Sequence, residues 1–272
     1  MRRRAPAKLN LGLELGERLP GGLHRIATLM VPISLADWVE VEPAGQLQLQ
    51  LTGPVAVGGG ADNLVWRAAQ SYLSRLGGGA KLTLEKRIPL GSGLGGGSSD
   101  AAATLLALQE LFPSQLDLAG LAARLGADVP FFLLGGAAIA RGFGEQLQPV
   151  SLPQRQVVVV RPDAAVSTAE AYRWWDESGG PGRRVDFERL IAQLRAGEVP
   201  DSFNAFQELV ASRCPPVAQA LSALRGSGLG GALMSGSGSS CFAYAGSRAQ
   251  AEEVAAQLAE RFPRWWVQAA EF

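Results

Sequence analysis

Between Gly91 and Gly97, five of seven residues are glycine, within Ile88-Pro89-Leu90-Gly91-Ser92-Gly93-Leu94-Gly95-Gly96-Gly97-Ser98-Ser99-Asp100-Ala101-Ala102-Ala103. Glycine lets a backbone reach left-handed angles and come close to a bulky group. The alternating run Lys81 to Ile88 before it predicts a strand, and the Ala-rich run from Ser98 to about Leu111 predicts a helix. A helix start leaves N–H groups without partners, and the helix dipole adds positive potential there. Strand, glycine loop and helix therefore make an anion site, with Ser98 and Ser99 adding hydroxyl donors. The chemistry fits a phosphate cradle. The plainer alternative is a glycine-rich turn ahead of a Ser-capped helix.

Gly91-x-Gly93-x-x-Gly96 formally matches the dinucleotide fingerprint, which is weak alone. No acidic residue closes a predicted strand about 20 residues later, where a ribose contact belongs, and Asp117 there reads as a helix cap. No Gly-Lys pair occurs, which excludes a P-loop, and His-Arg-Asp and Asp-Phe-Gly are both missing. Twenty-five Lys plus Arg balance twenty-five Asp plus Glu, leaving no basic surplus for nucleic acid or a membrane surface. Glycine numbers 34 of 272, against an average near 7%, so the glycines are local devices of a folded chain. Cys214 and Cys241 are far apart, which argues against a disulfide framework or zinc site and predicts a cytoplasmic setting. The longest nearly apolar stretch, Val129 to Ala140, is too short to span a bilayer. The basic N-terminus has no apolar core behind it, so no secretion signal is expected. Lys8, Lys81 and Lys86 are the only lysines, and each needs an explanation where arginine supplies the other cations.

Strands are predicted around 9–15, 26–33, 38–41, 47–51, 81–88, 157–160, 232–235, 241–245 and 265–269. Helices are predicted at about 63–76 capped by Asp62, 98–111, after Asp117, and at 168–175, 187–195, 204–213, 217–224 and after Ser247. Residues 176–184 read as a loop, and the second Gly-Ser-Gly-Leu-Gly-Gly, Gly226 to Gly231, reads as a turn. The mixture predicts an α+β fold of two domains, 1–150 and 151–272, with a boundary near 145–155.

Three segments, Ala5-Pro6-Ala7-Lys8-Leu9-Asn10-Leu11-Gly12, Gly95-Gly96-Gly97-Ser98-Ser99 with its flanks, and Leu233-Met234-Ser235-Gly236-Ser237-Gly238-Ser239-Ser240, occur in that order. With Leu125-Gly126-Ala127-Asp128-Val129-Pro130-Phe131, the chain resembles the galactokinase, homoserine kinase, mevalonate kinase and phosphomevalonate kinase (GHMP) superfamily from about Ala5 to Ala245. The resemblance implies a two-domain kinase fold with mixed sheets and a glycine-rich phosphate loop at a helix N-terminus. It also implies ATP and Mg²⁺ as cofactors and a small-molecule acceptor, most similar to that of the members phosphorylating the 2-hydroxyl of a diphosphocytidyl methylerythritol. The oligomeric state stays open. Another acceptor within the superfamily is the alternative, and a dinucleotide-dependent oxidoreductase a more distant one.

By the same resemblance Lys8 and Asp128 are the catalytic pair, and their surroundings agree. Asp128 precedes an apolar run and Lys8 sits in an apolar strand, where a charge needs a partner or a use. A structural ion pair, or Asp128 as a simple cap before Pro130, are the alternatives. The nucleotide would meet Pro89, Leu90, Gly91, Ser92, Gly93, Leu94, Gly95, Gly96, Gly97, Ser98 and Ser99, with Asn63 on the adenine side. Gly236 to Ser240 would shape the phosphate and substrate region. Asn10, His24, Thr168 and Tyr172 would hold the acceptor, His24 reading the edge of cytosine and Tyr172 covering a face. Gly21-Gly22-Leu23-His24 departs from the family pattern by placing Leu23 where an aromatic would stack. No residue stands out as a metal ligand.

Overall fold

The computed structural model describes residues 1–18, 22, 24–180 and 184–272. The chain forms β1 (Arg2–Arg18), β2 (His24–Ala44), β3 (Gln48–Thr52), α1 (Leu64–Leu73), β4 (Gly79–Glu85), α2 (Gly96–Leu111), α3 (Leu118–Leu125), α4 (Val129–Leu134), β5 (Ala138–Arg141) and β6 (Gln146–Pro149). It continues through β7 (Gln156–Arg161), α5 (Thr168–Glu177), α6 (Phe187–Arg195), α7 (Gln207–Arg213), α8 (Pro215–Arg225), β8 (Gly230–Met234), β9 (Cys241–Ala245), α9 (Arg248–Arg261) and β10 (Trp266–Glu271). Two compact units result, one from Met1–Lys8, Leu35–Leu90 and Gly95–Gly136, the other from Leu9–Ser34, Gly91–Leu94 and Ala137–Phe272. Each unit thus draws on three stretches of chain, whereas composition divides it once near 145–155. The long strands β1 and β2 each run unbroken from one unit into the other, so no linker marks the crossing.

In the first unit β2 pairs antiparallel with β4 from Trp38↔Glu85 to Ala44↔Gly79, and β3 runs parallel to β4. Ala80, Leu82 and Leu84 of β4 are buried while Lys81, Thr83 and Glu85 are half-exposed, as strand alternation requires. Helix α1 buries Val65, Ala68, Ala69 and Tyr72, the stripe its sequence predicts. Its cap is Asn63 rather than Asp62, because Asn63 Oδ1 accepts from the Val65 N–H at 2.9 Å. Asp117 caps α3 as expected.

In the second unit β10-β7-β9-β8 form an antiparallel sheet, and β2 pairs with β5 from Thr28↔Ala140 to Met30↔Ala138. The continuous run Val157 to Val160 is wholly buried, the reading such a run invites. Val158, Val160, Trp175, Phe206, Leu221, Leu224, Val254 and Leu258 build the core. Elements α4, β5 and β6, of four to six residues, were not anticipated; Gly135-Gly136 splits the apolar stretch 129–140 between α4 and β5. Helix α7 starts at Gln207, and Asn204 instead donates to the carbonyls of Met234 and Gly236. Gly226 to Gly231 lead from α8 into β8, as a turn. Among the described residues no helix is long and apolar enough to cross a membrane.

Candidate active site

Gly95 ends the glycine loop at φ 68° and stands at the N-cap of α2 with no side chain capping that end. The helix therefore starts at Gly96, two residues earlier than expected, and Ser98 lies within its first turn rather than at its cap. The opening N–H groups take no side-chain cap, and Ser99 Oγ is buried without a hydrogen-bond partner. An orphaned hydroxyl beside open helix donors fits a phosphate oxygen. A Cβ on Gly95 would stand 3.0 Å from Lys8 Cγ and 3.0 Å from Phe132 Cζ. Gly95→Val should therefore distort both the loop and Lys8, and weaken ATP binding at least ten-fold while the fold survives, read by calorimetry and circular dichroism; unchanged affinity would remove the cradle assignment.

Lys8 and Asp128 meet beside this helix start. Lys8 lies on β1 between the buried Ala7 and Leu9, and its Nζ is 3.7 Å from Asp128 Oδ2. That separation is an ion pair longer than a direct hydrogen bond. The lysine side chain is 5% exposed and the aspartate 35%, so the carboxylate is the accessible partner. Burial pushes the Lys8 ammonium below its ordinary range, and the charge of Asp128 draws it back. Asp128 occupies the N-cap position of α4, yet its side chain makes no capping bond. The simple-cap alternative for Asp128 is thereby removed, and its observed partner is Lys8.

In the second unit Gly93, at φ 75°, runs against the turn 236–240. A Cβ there would collide with the Ser235 carbonyl and stand 3.0 Å from that of Gly238. Ser235 Oγ donates to the Gly93 carbonyl at 3.1 Å and accepts from the Asn10 N–H at 3.2 Å, while the Ser240 N–H donates to the Ser92 carbonyl at 3.0 Å. Ser92 and Leu94 are buried, so they can offer a ligand only backbone, whereas Leu90 and Gly91 are exposed and Pro89 half-buried. Asn10 Nδ2 donates to Thr28 Oγ1 at 2.8 Å. Ser235, part of a segment that carries the family resemblance, and Asn204, which the sequence marks only as a helix start, order this region.

His24 and Tyr172 come together in the second unit. Their rings stack at 5.2 Å and 22°. Asp176, which sequence reading missed, joins them: His24 Nε2–H donates to Asp176 Oδ1 at 2.7 Å and pins the ring. That bond leaves Nδ1 as the nitrogen facing any ligand. His24 and Asp176 line a cavity of about 1030 Å³ with Arg18, Arg25, Arg141 and Trp175. Thr168 Oγ1 lies 3.0 Å from Ser237 Oγ. Asn63 spends its amide on Val65 N and the Gly58 carbonyl, the helix-start role. Gly21 and Leu23 fall outside the described residues. Among the described residues no three His, Cys, Asp or Glu gather to cage a metal.

The loop-to-helix arrangement is not a dinucleotide fold, because β4 is antiparallel to β2 and α2 leads into α3 and α4 rather than a parallel strand. The GHMP kinases N terminal domain matches residues 63–136 and the GHMP kinases C terminal domain residues 182–264. A 4-diphosphocytidyl-2-C-methyl-D-erythritol kinase of Deinococcus radiodurans is 50% identical over 98% of this chain and 91% of its own. The enzyme of that name from Thermus thermophilus is 45% identical over 97% and 94%. A crystal structure of 4-(cytidine 5'-diphospho)-2C-methyl-D-erythritol kinase superposes with TM-score 0.88 at 43% identity, covering 99% of both chains. A mevalonate kinase from L. major, 19% identical with TM-score 0.73 over 100% of this chain and 95% of its own, shares the fold. A glycine-capped helix carrying an orphaned serine, a buried lysine paired with a half-open aspartate, and these matches lead to one conclusion: the chain belongs to the GHMP kinase family.

Proposed function

We propose that the chain transfers the γ-phosphoryl group of MgATP to the 2-hydroxyl of 4-diphosphocytidyl-2-C-methyl-D-erythritol, a step in making isoprenoid precursors without mevalonate. The observation that carries the kinase reading is the Lys8–Asp128 pair beside the open start of α2. The acceptor reading rests on the full-length relatives of that name. Asp128 takes the hydroxyl proton as the oxygen attacks the γ-phosphorus, and the bond to the bridging oxygen breaks to release ADP. Lys8 stabilises the charge that builds on the attacking oxygen and the phosphoryl oxygens. The N–H groups of Gly96 and Gly97 and the hydroxyls of Ser98 and Ser99 hold the phosphates. Mg²⁺ enters on the nucleotide's own phosphates as part of the substrate.

ATP consumption with the diphosphocytidyl alcohol, homoserine and mevalonate tests this. Turnover only with the first supports the proposal, and turnover only with another acceptor replaces it.

The acceptor's cytosine is read by Nδ1 of His24, with Tyr172 backing the imidazole and Asp176 fixing its proton on Nε2. A stacked aromatic is worth about 1–3 kcal/mol. Tyr172→Ala, His24→Ala and Asp176→Ala should therefore each raise the acceptor KM about ten-fold, leaving the ATP KM within about two-fold. An unchanged acceptor KM in all three would move cytosine recognition elsewhere.

A further inference from the structure

Of the three lysines, Lys8 belongs to the chemistry and Lys81 makes an exposed pair with Glu42. Lys86 is buried and takes no part in the mechanism above. Its Nζ donates to Asp37 Oδ2 and, at 2.7 Å, to Asp100 Oδ2. Asp37 Oδ1 also accepts from the backbone N–H groups of Arg87 and Ile88, at 2.5 and 2.8 Å. The three side chains are each 3% exposed or less. Burying two carboxylates around one ammonium is costly, and such a cluster is poor evidence of stability alone.

The cluster's position gives it a use. Asp37 grips the chain as it leaves β4 for the glycine loop, and Asp100 rides on α2 one turn beyond Gly96. Lys86 ties these two together. Its ammonium lies 2.9 Å from where a Gly96 Cβ would stand, so the charge sits close behind the first residue of the helix. We infer that Asp37, Lys86 and Asp100 are positioning residues of the phosphate loop, and that the net charge of this cluster governs how tightly the loop holds a triphosphate. This rests on reading the loop as the ATP site.

The charge count makes the inference specific. With Asp100 protonated the cluster is neutral; with both carboxylates ionised it carries one buried negative charge behind a site for anions. Asp100 Oδ1 has no hydrogen-bond partner, so only the Lys86 ammonium, already shared with Asp37, offsets the charge an ionised Asp100 would add. Burial raises the Asp100 carboxyl to about 8, Lys86 opposing and Asp37 reinforcing the rise. At neutral pH Asp100 thus holds its proton and the cluster is neutral. Other charges on elements packed against α2 are few: Arg67 on α1 and Arg124 on α3 are exposed, α4 has only Asp128 at its cap, and Lys8 lies beside Gly95. The protonated form is the one that favours anion binding. Affinity is therefore highest below about pH 8 and weakens as pH rises through it.

The test is calorimetric titration of the full chain with Mg²⁺ and a non-hydrolysable ATP analogue from pH 7 to 9.5, for the parent and Asp100→Asn. The amide has the same shape and stays neutral. The parental Kd should rise about five- to ten-fold across the step, the range of ordinary site-to-site coupling. Asp100→Asn should lose that step, while any slope owed to Lys8 stays in both curves. Superimposable curves assign the titration to Lys8 and overturn the inference, as does a flat parental profile. A parent that binds no analogue at pH 7 overturns the nucleotide reading itself, and the inference with it. Lys86→Met, which leaves Asp37 uncompensated, should weaken binding at every pH; parental affinity in a folded Lys86→Met protein also overturns the inference.

Discussion

Asp128→Asn should lower kcat by about 10²–10⁴-fold, the usual loss when a positioned general base is removed. The amide keeps the shape of the carboxylate but cannot accept the hydroxyl proton. Two features isolate this effect from folding. Asp128 makes no capping bond to α4, so no helix end is lost, and its side chain is 35% exposed, so the amide is not forced into a dry core. The melting temperature should move little, and the Kd for ATP should stay within about three-fold, since the proposed phosphate contacts lie on α2 and not on Asp128. A steady-state assay at saturating acceptor, with calorimetry for ATP, separates these outcomes. A kcat close to the parental value would make Asp128 only a structural partner of Lys8.

The strand, glycine loop and helix were legible because their signals are local. Glycine spacing, a preceding alternating strand and a following Ala-rich helix are all contained in residues 81–111, and β4 and α2 appear where that pattern puts them. Pairing Lys8 with Asp128 needed the family resemblance, because 120 residues separate them and nothing in either local pattern points to the other. Side-chain contacts between distant elements were not legible at all. Asp176 reads as the start of a polar loop, yet it ends on the His24 ring from 152 residues away. Nothing in the sequence links Asp37 and Asp100 to Lys86, and only the fold buries all three together. The missed elements α4, β5 and β6 have a simpler cause, since four to six residues are too few to display a period. Asn63 displaced Asp62 as a cap by a single position, the scale on which helix ends are decided by one hydrogen bond.

Lys8→Met should cost about 10²–10³-fold in kcat, by analogy with losing one preorganised donor to a developing anion. Methionine nearly matches the lysine stem in length, and the side chain is 5% exposed, so an apolar replacement suits the site. Removing a buried ammonium while leaving a half-exposed carboxylate should not unfold the unit, because Asp128 can be hydrated. Lys8→Arg should recover little of the loss. The Lys8 side chain is only 5% exposed, and a planar guanidinium cannot occupy the space of a compact ammonium. The pH profile gives an independent check. Because burial lowers the Lys8 value and the ammonium is the active form, parental kcat should fall as pH rises through that lowered value, short of the ordinary lysine range. Asp128→Asn removes the attraction that holds the ammonium charged, so its residual activity should lose that alkaline limb at still lower pH. The two groups act on one proton transfer and one developing charge, so the double variant should be scarcely slower than the worse single one. Multiplicative losses would mean that the two groups act separately, and parental turnover in Lys8→Met would remove the lysine from the chemistry.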